Sequence, residues 1–483
     1  MRRSRPSSTE RLLVQQGLSS VEYQGSSTIG SGGDGMAIQG FTQEEFERTL
    51  NEYVSPSSPI ESFEHLVGRQ KQLEKIEEAI ISPGRHIFIY GDRGAGKTSL
   101  ARTAAYKHHP AHGEPVYTAC GRGTSFASIV RDIVSQLDQR SELRSIDRTL
   151  TAGGKALGLE GSYSELEKAK SVENLDLNAA TAAVNEAALR RQGRSIIVVD
   201  EFENLPTIDD RHLFAELIKQ LSDRRVPVSM VFCGIGKSLD SLLQGHNSAH
   251  RYLEEIALPA PPLTFTGCWE IVDSASGALG LKIEDTPRLR IAQISDGFPH
   301  YVHLICQKLC WRAFRDSEVV HELTSEFYMD AIRDALSSVE SRLRSAYDQA
   351  TKKDRDSYEE VLWAVADHFE LQRNNRRIYD ESYMRIMEDV QRKPLDFTTF
   401  QSHLTSLRSS RHGAILEMPR RGWVQFSENL IRGYVRLVAE SKGVRLALEH
   451  EPGPEPKALT AAARSQGVHP AYQGRRYTWG SGR

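Results

Sequence analysis

HIFIYGDRGAGKTSLARTAAYK, residues 86–107, decides the fold. His86 to Tyr90 is a short run of the length and apolar character of a strand covered on both faces. Gly91 to Thr98 matches G-x-x-x-x-G-K-[ST], and the residues that follow read as a helix. In this strand-loop-helix setting Gly91, Gly94 and Gly96 let backbone N–H groups turn inward around a phosphate, at the positive end of the helix dipole. Ala95 and Ser99 complete the cradle, Lys97 supplies the charge that meets the β- and γ-phosphates, and the Thr98 hydroxyl is suited to Mg²⁺. Asp92 and Arg93 belong to the loop, with side chains expected to face solvent or a neighbouring segment.

A second stretch, SIIVVDEFENL at 195–205, completes the expected site. Its apolar run delivers Asp200 to the end of a buried strand, where it would hold Mg²⁺ through water. Glu201 follows directly and is placed to orient and deprotonate an attacking water. An apolar run ending in Asp-Glu is common, and it gains force only from the phosphate loop upstream. Glu203 reads as part of a solvated acidic face.

Outward from these segments, short β-branched runs alternate with longer amphipathic ones, the mark of an α/β chain with a parallel sheet between helices. The expected strands are His86 to Tyr90, Val116 to Cys120, Ser195 to Val199, Val228 to Cys233 and Glu255 to Leu258. The stretch from about Asp138 to Gln192 exceeds what such a core needs and reads as a polar insertion. The β-branched runs end at Ala260, so a boundary is expected near Pro261-Pro262. The expected organisation is a core at 41–260, a helical lid at 261–350 and a third domain at 351–450. That domain starts with a helix at Asp354 to Phe369. It ends with a helix, a strand (Ala414 to Met418), a turn containing Pro419 and Gly422, a strand (Trp423 to Phe426) and a closing helix, a winged-helix pattern. The Ser-, Gly- and Arg-rich residues 1–40 and the segment 451–483 hold too few apolar groups to offset the entropy of ordering, and both read as disordered tails.

A formal net charge of -3 gives no whole-molecule attraction to nucleic acid, so any such contact needs a local patch. Five cysteines without paired CxxC spacing argue for a reducing compartment, and Cys306 and Cys310, one helical turn apart, read as core thiols. His108, His109 and His112, in a stretch broken by Pro and Gly, read as an exposed loop rather than a metal site. No apolar run approaches the roughly eighteen residues of a membrane span, and the N-terminus lacks a secretory h-region, so a cytoplasmic location is expected.

With these residues in hand, the span from about Phe63 to Leu448 resembles AAA+ P-loop ATPases of the archaeal origin-recognition and replication-initiator type, with their STAND and transposition-ATPase relatives. LVGR at 66–69 is similar to the motif such ATPases set against adenine, which would make Val67, Gly68 and Arg69 base contacts, with QKQLEKIEEAI as the next helix. GHNSAHRYLEEIALPAPPL resembles the segment that carries an arginine before the fifth strand. Arg251 would then be an arginine finger or charge sensor, the alternative being an exposed helix residue. DGFPHYVHLIC is similar to the GxP signature of the lid, so Gly297 and Pro299 would border adenine or ribose. Where such ATPases carry a polar sensor at the end of the fourth strand this chain has Cys233-Gly234-Ile235, with Ser229 too early, and the sensor is unassigned.

The resemblance implies ATP and Mg²⁺ as cofactors, ATP hydrolysis with Glu201, Lys97 and Arg251 as the catalytic set, and Thr98 and Asp200 at the metal. It implies assembly with further copies in the ATP state. The expected function is a molecular switch that acts on duplex DNA through the winged helix. Local charge agrees: between Leu371 and Arg445 there are 14 Lys or Arg against 8 Asp or Glu, with Arg408, Arg411, Arg420 and Arg421 around the recognition helix and wing. The alternative is a STAND-like signalling or defence ATPase, whose winged helix locks the nucleotide until a protein partner releases it. A metabolic P-loop kinase is disfavoured by Asp200-Glu201, the GxP-like segment and the winged helix.

Overall fold

The computed structural model describes residues 38, 40–56, 66–109, 114–151, 175–191, 193–236, 239, 242, 249–351 and 357–447. Apolar alternation builds the central sheet from β1 (His86–Tyr90), β2 (Val116–Ala119), β3 (Ser195–Asp200), β4 (Val228–Gly234) and β5 (Leu253–Ala257). The strands run parallel in the order β2-β3-β4-β1-β5. Ile87 and Ile89 point to one face with Leu100, Ile196, Val198 and Val231, and Phe88 points to the other with Phe202, Phe214 and Phe232. The strand expected at Glu255 to Leu258 starts earlier, at Leu253. Its position on the sheet edge lets Glu254 and Glu255 stand towards solvent while Leu253 and Ile256 are buried, which an interior strand would not tolerate.

Helix α1 (Gln43–Tyr53) packs with the helical region after residue 260, and around the sheet lie α2 (Gln70–Ile81), α3 (Lys97–His108), α4 (Phe126–Thr151), α5 (Leu177–Leu189) and α6 (Ile208–Asp223). Helix α1 opens on a capping box, Thr42 with Glu45. Helix α5 corrects part of the expected polar insertion: Ala180, Val184, Ala187 and Ala188 are buried, where small side chains let the helix pack closely on α4 and α6. Residues 152–174 of that stretch lie outside the described residues.

The lid region is helical as expected, with α7 (Phe265–Ala278), α8 (Asp285–Ser295), α9 (Pro299–Phe314), α10 (Ser325–Ser338) and α11 (Ser341–Thr351). It also holds a two-stranded parallel pair, β6 (Lys282–Ile283) and β7 (Glu322–Leu323), too short to show as a β-branched run. Next come α12 (Tyr358–Ala366), β8 (Arg373–Asn374), α13 (375–389, with a π-turn at Ile378–Tyr383), α14 (Phe397–Ser406), β9 (Leu416–Glu417), β10 (Trp423–Phe426) and α15 (Asn429–Ser441). The three strands form an antiparallel sheet in the order β8-β10-β9. The helix expected at Asp354 to Phe369 stops at Ala366, and its first residues lie outside the described set. The strand expected from Ala414 begins at Leu416, because Ala414 sits at φ 47° in the left-handed region.

Helix α15 is buried from Leu430 to Glu440, charges included. Arg432 and Arg436 both reach Asp296, at 2.6 and 3.0 Å, and Arg290 reaches Glu440 at 3.0 Å. Gly433 is required where the Tyr301 ring occupies the space a Cβ would need. These contacts fasten α15 to the lid helices α8 and α9.

All five cysteines are free and buried, Cys306 and Cys310 within the lid core as read from spacing. His108 ends α3 and is half-buried against Glu77 at 3.2 Å, as is His109 beside it, so the expectation of an exposed loop is corrected there; His112 lies outside the described residues. Among the described residues no group of three or more His, Cys, Asp or Glu is arranged to hold a metal, and no helix is long and apolar enough to cross a membrane. Of the expected tails, Ile38 is buried in the core with Phe46; 451–483 and nearly all of 1–40 lie outside the described residues.

Candidate nucleotide site

The parallel sheet brings the two sequence-read segments to one edge. The loop leaves the end of β1, Asp200 ends β3, and β4 runs between them. Gly94 and Gly96 take φ of 74° and 85°, and Gly96 is the N-cap of α3, so the loop closes on the amino end of the helix. Lys97 Nζ donates to the carbonyls of Gly91 (3.1 Å) and Asp92 (2.9 Å), which hold the ammonium over the loop.

Asp200 is buried and fully engaged. Its Oδ2 accepts from Thr98 Oγ1 and from Tyr117 OH, both at 2.7 Å, and its Oδ1 accepts from the Glu201 N–H at 2.8 Å. Burial and the Asp200 charge push the Tyr117 hydroxyl up, so it stays a donor, and the Arg102 guanidinium lies 3.9 Å over its ring. Glu201 occupies the left-handed region at φ 52°, a conformation that turns its side chain out of the strand. Its carboxylate is exposed, and Oε2 accepts from Asn204 Nδ2 at 2.9 Å.

The pocket, about 280 Å³, is lined by Arg93, Gly94, Ala95, Gly96, Lys97, Thr98 and Ser99 on the loop side and by Asp200, Glu201 and Glu203 on the acidic side. Its remaining wall comes from Ser55, Pro56, Leu66, Val67, Arg69, Leu263, Ile271, Pro299, His300 and His303. Arg69 is buried, and loss of water pushes its pKa down to about 10, which leaves it a cation at neutral pH. Burial, and then the charge of His300, push His303 down to about 4, so that ring is neutral.

Several expected residues take other positions. Gly68 is exposed beside Leu263, and Gly297 is buried with its carbonyl accepting from Leu263 N–H at 2.9 Å, so neither lines the pocket. Arg251 is exposed, with its guanidinium 5.8 Å from the Tyr252 ring centroid, outside the pocket of its own chain. Asp92 accepts from Asn429 Nδ2 at 2.8 Å, so the neighbouring segment it meets is the start of α15. Leu430 packs where a Cβ on Gly94 would lie. At the end of β4, Cys233 Sγ contacts the Lys97 carbonyl at 3.8 Å, and burial with the Asp200 charge raises the thiol far above its ordinary pKa. Tyr117, Asn204, His300, His303 and Asn429 escaped the sequence reading. The pleat offered one signal, since Tyr117 pairs with Val198 two residues before Asp200 on the neighbouring strand.

The AAA ATPase domain family matches residues 65–231. No curated protein matches the chain. Among solved structures it is similar to the Walker-type ATPase PABY2304 of Pyrococcus abyssi, at 14% identity over 79% of this chain and 99% of that one, with a TM-score of 0.48. It is also similar to Cdc6p from Pyrobaculum aerophilum, at 16% identity over 82% and 99% with a TM-score of 0.39. A third likeness is to the Aeropyrum pernix ORC1 protein in complex with DNA, at 14% identity over 78% and 93% with a TM-score of 0.41. The parallel strand order, with the loop and the Asp200-Glu201 pair at one end of the strands, is a P-loop fold, and its residues 65–231 match the AAA ATPase domain family.

Proposed function

We propose that the chain binds Mg-ATP, hydrolyses it and uses the cycle as a switch that assembles with further copies and acts on duplex DNA. One observation carries the nucleotide chemistry: Thr98 Oγ1 and Tyr117 OH converge on Asp200 Oδ2 beside the phosphate loop, with Glu201 next in the chain. One hydroxyl and one carboxylate fit Mg²⁺, a hard cation that takes its other ligands from phosphate and water. When bound, the ion neutralises charge on the β- and γ-phosphates. Lys97 would share that role, Glu201 would orient and deprotonate the attacking water, and Asn204 would hold the Glu201 carboxylate. Arg251, exposed, is free to meet the nucleotide of a neighbouring copy.

Support for DNA comes from the region 358–441, whose helix-strand-helix-helix-hairpin order supports the winged-helix reading. A cleft of about 390 Å³ between α14 and the β9-β10 hairpin is lined by Gln401, Ser402, Thr405, Arg408, Arg421 and Trp423 among others. Arg408, Arg411, Arg420 and Arg421 are all exposed, and none of them pairs with a carboxylate among the described residues. Phosphate contacts need such solvent-facing cations.

A second reading, the signalling ATPase released by a protein partner, is favoured by Asn429 and Leu430 seated on the phosphate loop at Asp92 and Gly94. The test is ATP hydrolysis with and without duplex DNA, with size measured in parallel. Lys97→Ala should abolish binding, and Glu201→Gln should bind ATP and not turn it over. DNA stimulation with ATP-dependent assembly supports the DNA switch. Assembly indifferent to DNA moves the assignment to the second reading, and normal turnover by Glu201→Gln removes its role with water.

A further inference from the structure

The lining of the cleft between α14 and the β9-β10 hairpin falls into three chemical sets. Leu404 and Val424, both buried, and the half-buried Trp423 are apolar, and the Arg420 guanidinium lies 3.6 Å over the Trp423 ring. Gln401, Ser402 and Thr405, three and four positions apart on one exposed face of α14, are polar. Arg408 and Arg421 are exposed cations.

Asn375 joins them from the start of α13. Its N–H donates to the Gly422 carbonyl at 2.9 Å, which ties that helix to the turn of the hairpin. Asn374, the residue before it, spends its side chain on the helix cap, where Oδ1 accepts from the Arg376 and Arg377 N–H groups. The Asn375 carboxamide serves no such cap. Its Oδ1 is shielded from water and has no partner among the described residues. A shielded acceptor of this kind calls for a donor that the fold does not supply.

Contact with a paired duplex uses the cations alone, through phosphate, and leaves the interior of the cleft unexplained. A paired base stays within its stack, and its edges do not reach a shielded amide oxygen inside a cleft of about 390 Å³. A base swung out of the stack brings a flat apolar face for Trp423, Leu404 and Val424, edge groups for Asn375 and the α14 side chains, and a phosphate for Arg408 and Arg421. An aliphatic side chain would leave the polar set unmatched, and a free phosphate would leave the apolar set unmatched.

We infer that this cleft holds one unpaired nucleotide, so that the chain prefers DNA with a base free of its partner to fully paired duplex. The inference rests on the DNA reading above and adds the state of the DNA.

The experiment is fluorescence anisotropy of the full chain, with Mg-ATP, on three labelled DNAs: a paired duplex, the same duplex with one bulged nucleotide, and that bulge without its base. Both bulges interrupt the duplex at the same place, so the difference between them reads the base. The wild type should bind the bulge about tenfold or more tighter than the paired duplex, within the range that stacking one base supplies. The abasic bulge should fall to within about threefold of the paired duplex. Asn375→Leu, which keeps the N–H to Gly422, should bring the bulge within about threefold of its abasic form, and so should Thr405→Trp, which fills the cleft. Equal affinity of the wild type for the two bulges overturns the inference, whether or not the variants fold. So does an unchanged preference in both folded variants, which would put the base elsewhere. Binding of all three DNAs without preference removes this inference alone and leaves the DNA reading standing. Failure to bind any of them sinks both, and binding of labelled poly-L-glutamate in their place would give the cleft to an acidic peptide.

Discussion

Asp296→Asn removes one charge and almost no volume, and its cost follows from what surrounds that carboxylate. Arg432 Nε and Arg436 Nη1 donate to Asp296 Oδ2 and Oδ1 at 2.6 and 3.0 Å, with all three residues buried. Burial drives Arg436 down to about 10, against the pull of Asp296, so its guanidinium is a cation at neutral pH. Removing one partner of a buried ion pair costs about 3–5 kcal/mol, because the remaining charge is left uncompensated. Here the low end applies. Arg436 keeps the carbonyls of Ala366, Gln293 and His368 as acceptors, and Asp367 still acts on it from nearby. The backbone does not confound the test: Asp296 sits at φ 53°, and Asn tolerates that region as well as Asp does. Urea unfolding followed by tryptophan fluorescence should show the midpoint falling by ~1 M, taking ~3 kcal/mol and a slope of ~3 kcal/mol/M. The exposed pair Arg385-Asp389 supplies the control, since Asp389→Asn should change stability by less than about 0.5 kcal/mol. If Asp296→Asn shifts the midpoint no more than the control does, α15 is not held by this cluster.

Three further outcomes are expected. Tyr117→Phe removes a donor to the Asp200 carboxylate, worth about 1.5–3 kcal/mol, and should slow ATP turnover by ~10- to 100-fold with nucleotide affinity nearly unchanged; unaltered turnover would leave Tyr117 a packing residue. Asn429→Ala cuts the hydrogen bond to Asp92 and should speed release of bound nucleotide, measured by stopped-flow chase of a fluorescent analogue; a rate equal to wild type would count against the signalling reading. His86, pushed down to about 4 chiefly by burial, accepts from Met230 N–H and stays neutral, so the unfolded chain takes up a proton first as pH falls. Its contribution is full above pH ~6.5 and is lost towards pH 4, with ~2 kcal/mol gone by pH 5; stability that falls as steeply in His86→Gln would contradict this.

The candidate nucleotide site was legible because the pattern that marks it is local. A loop that wraps phosphate with backbone N–H groups must place Gly94, Gly96, Lys97 and Thr98 at fixed spacing, and a buried strand must end where Asp200 stands. The strands were legible for the same reason, down to the residue for β1. What escaped is contact between segments far apart in the chain. Tyr117 meets Asp200 across 83 positions and Asn429 meets Asp92 across 337, and no periodicity within either segment records the partner. Helix α5 escaped because alanine is neutral to a composition argument, though its small size is what suits it to the close helix-helix contacts with α4 and α6.

Charge shows the same limit from the other side. Of the 14 basic residues between Leu371 and Arg445, Arg373, Arg432 and Arg436 are buried at 1–2% exposure and spend their donors on carbonyls and on Asp296 and Ser382. They add nothing to a field that phosphate would feel. Arg376, Arg377 and Arg385 are paired with Asp380, Glu381 and Asp389 one turn away and are largely neutralised where they stand. Arg392 and Lys442 are paired with Glu360 and Glu359, Lys393 and Arg445 are exposed, and so are Arg408, Arg411, Arg420 and Arg421 in the connections between α14 and β10, of which Arg408 and Arg421 line the cleft. A sequence counts an arginine once whatever its surroundings, whereas burial divides the set into a group that binds the helices together and a group left for a ligand. The DNA reading therefore stands on these exposed arginines, two of them in the cleft, and the total charge of the region carries none of it.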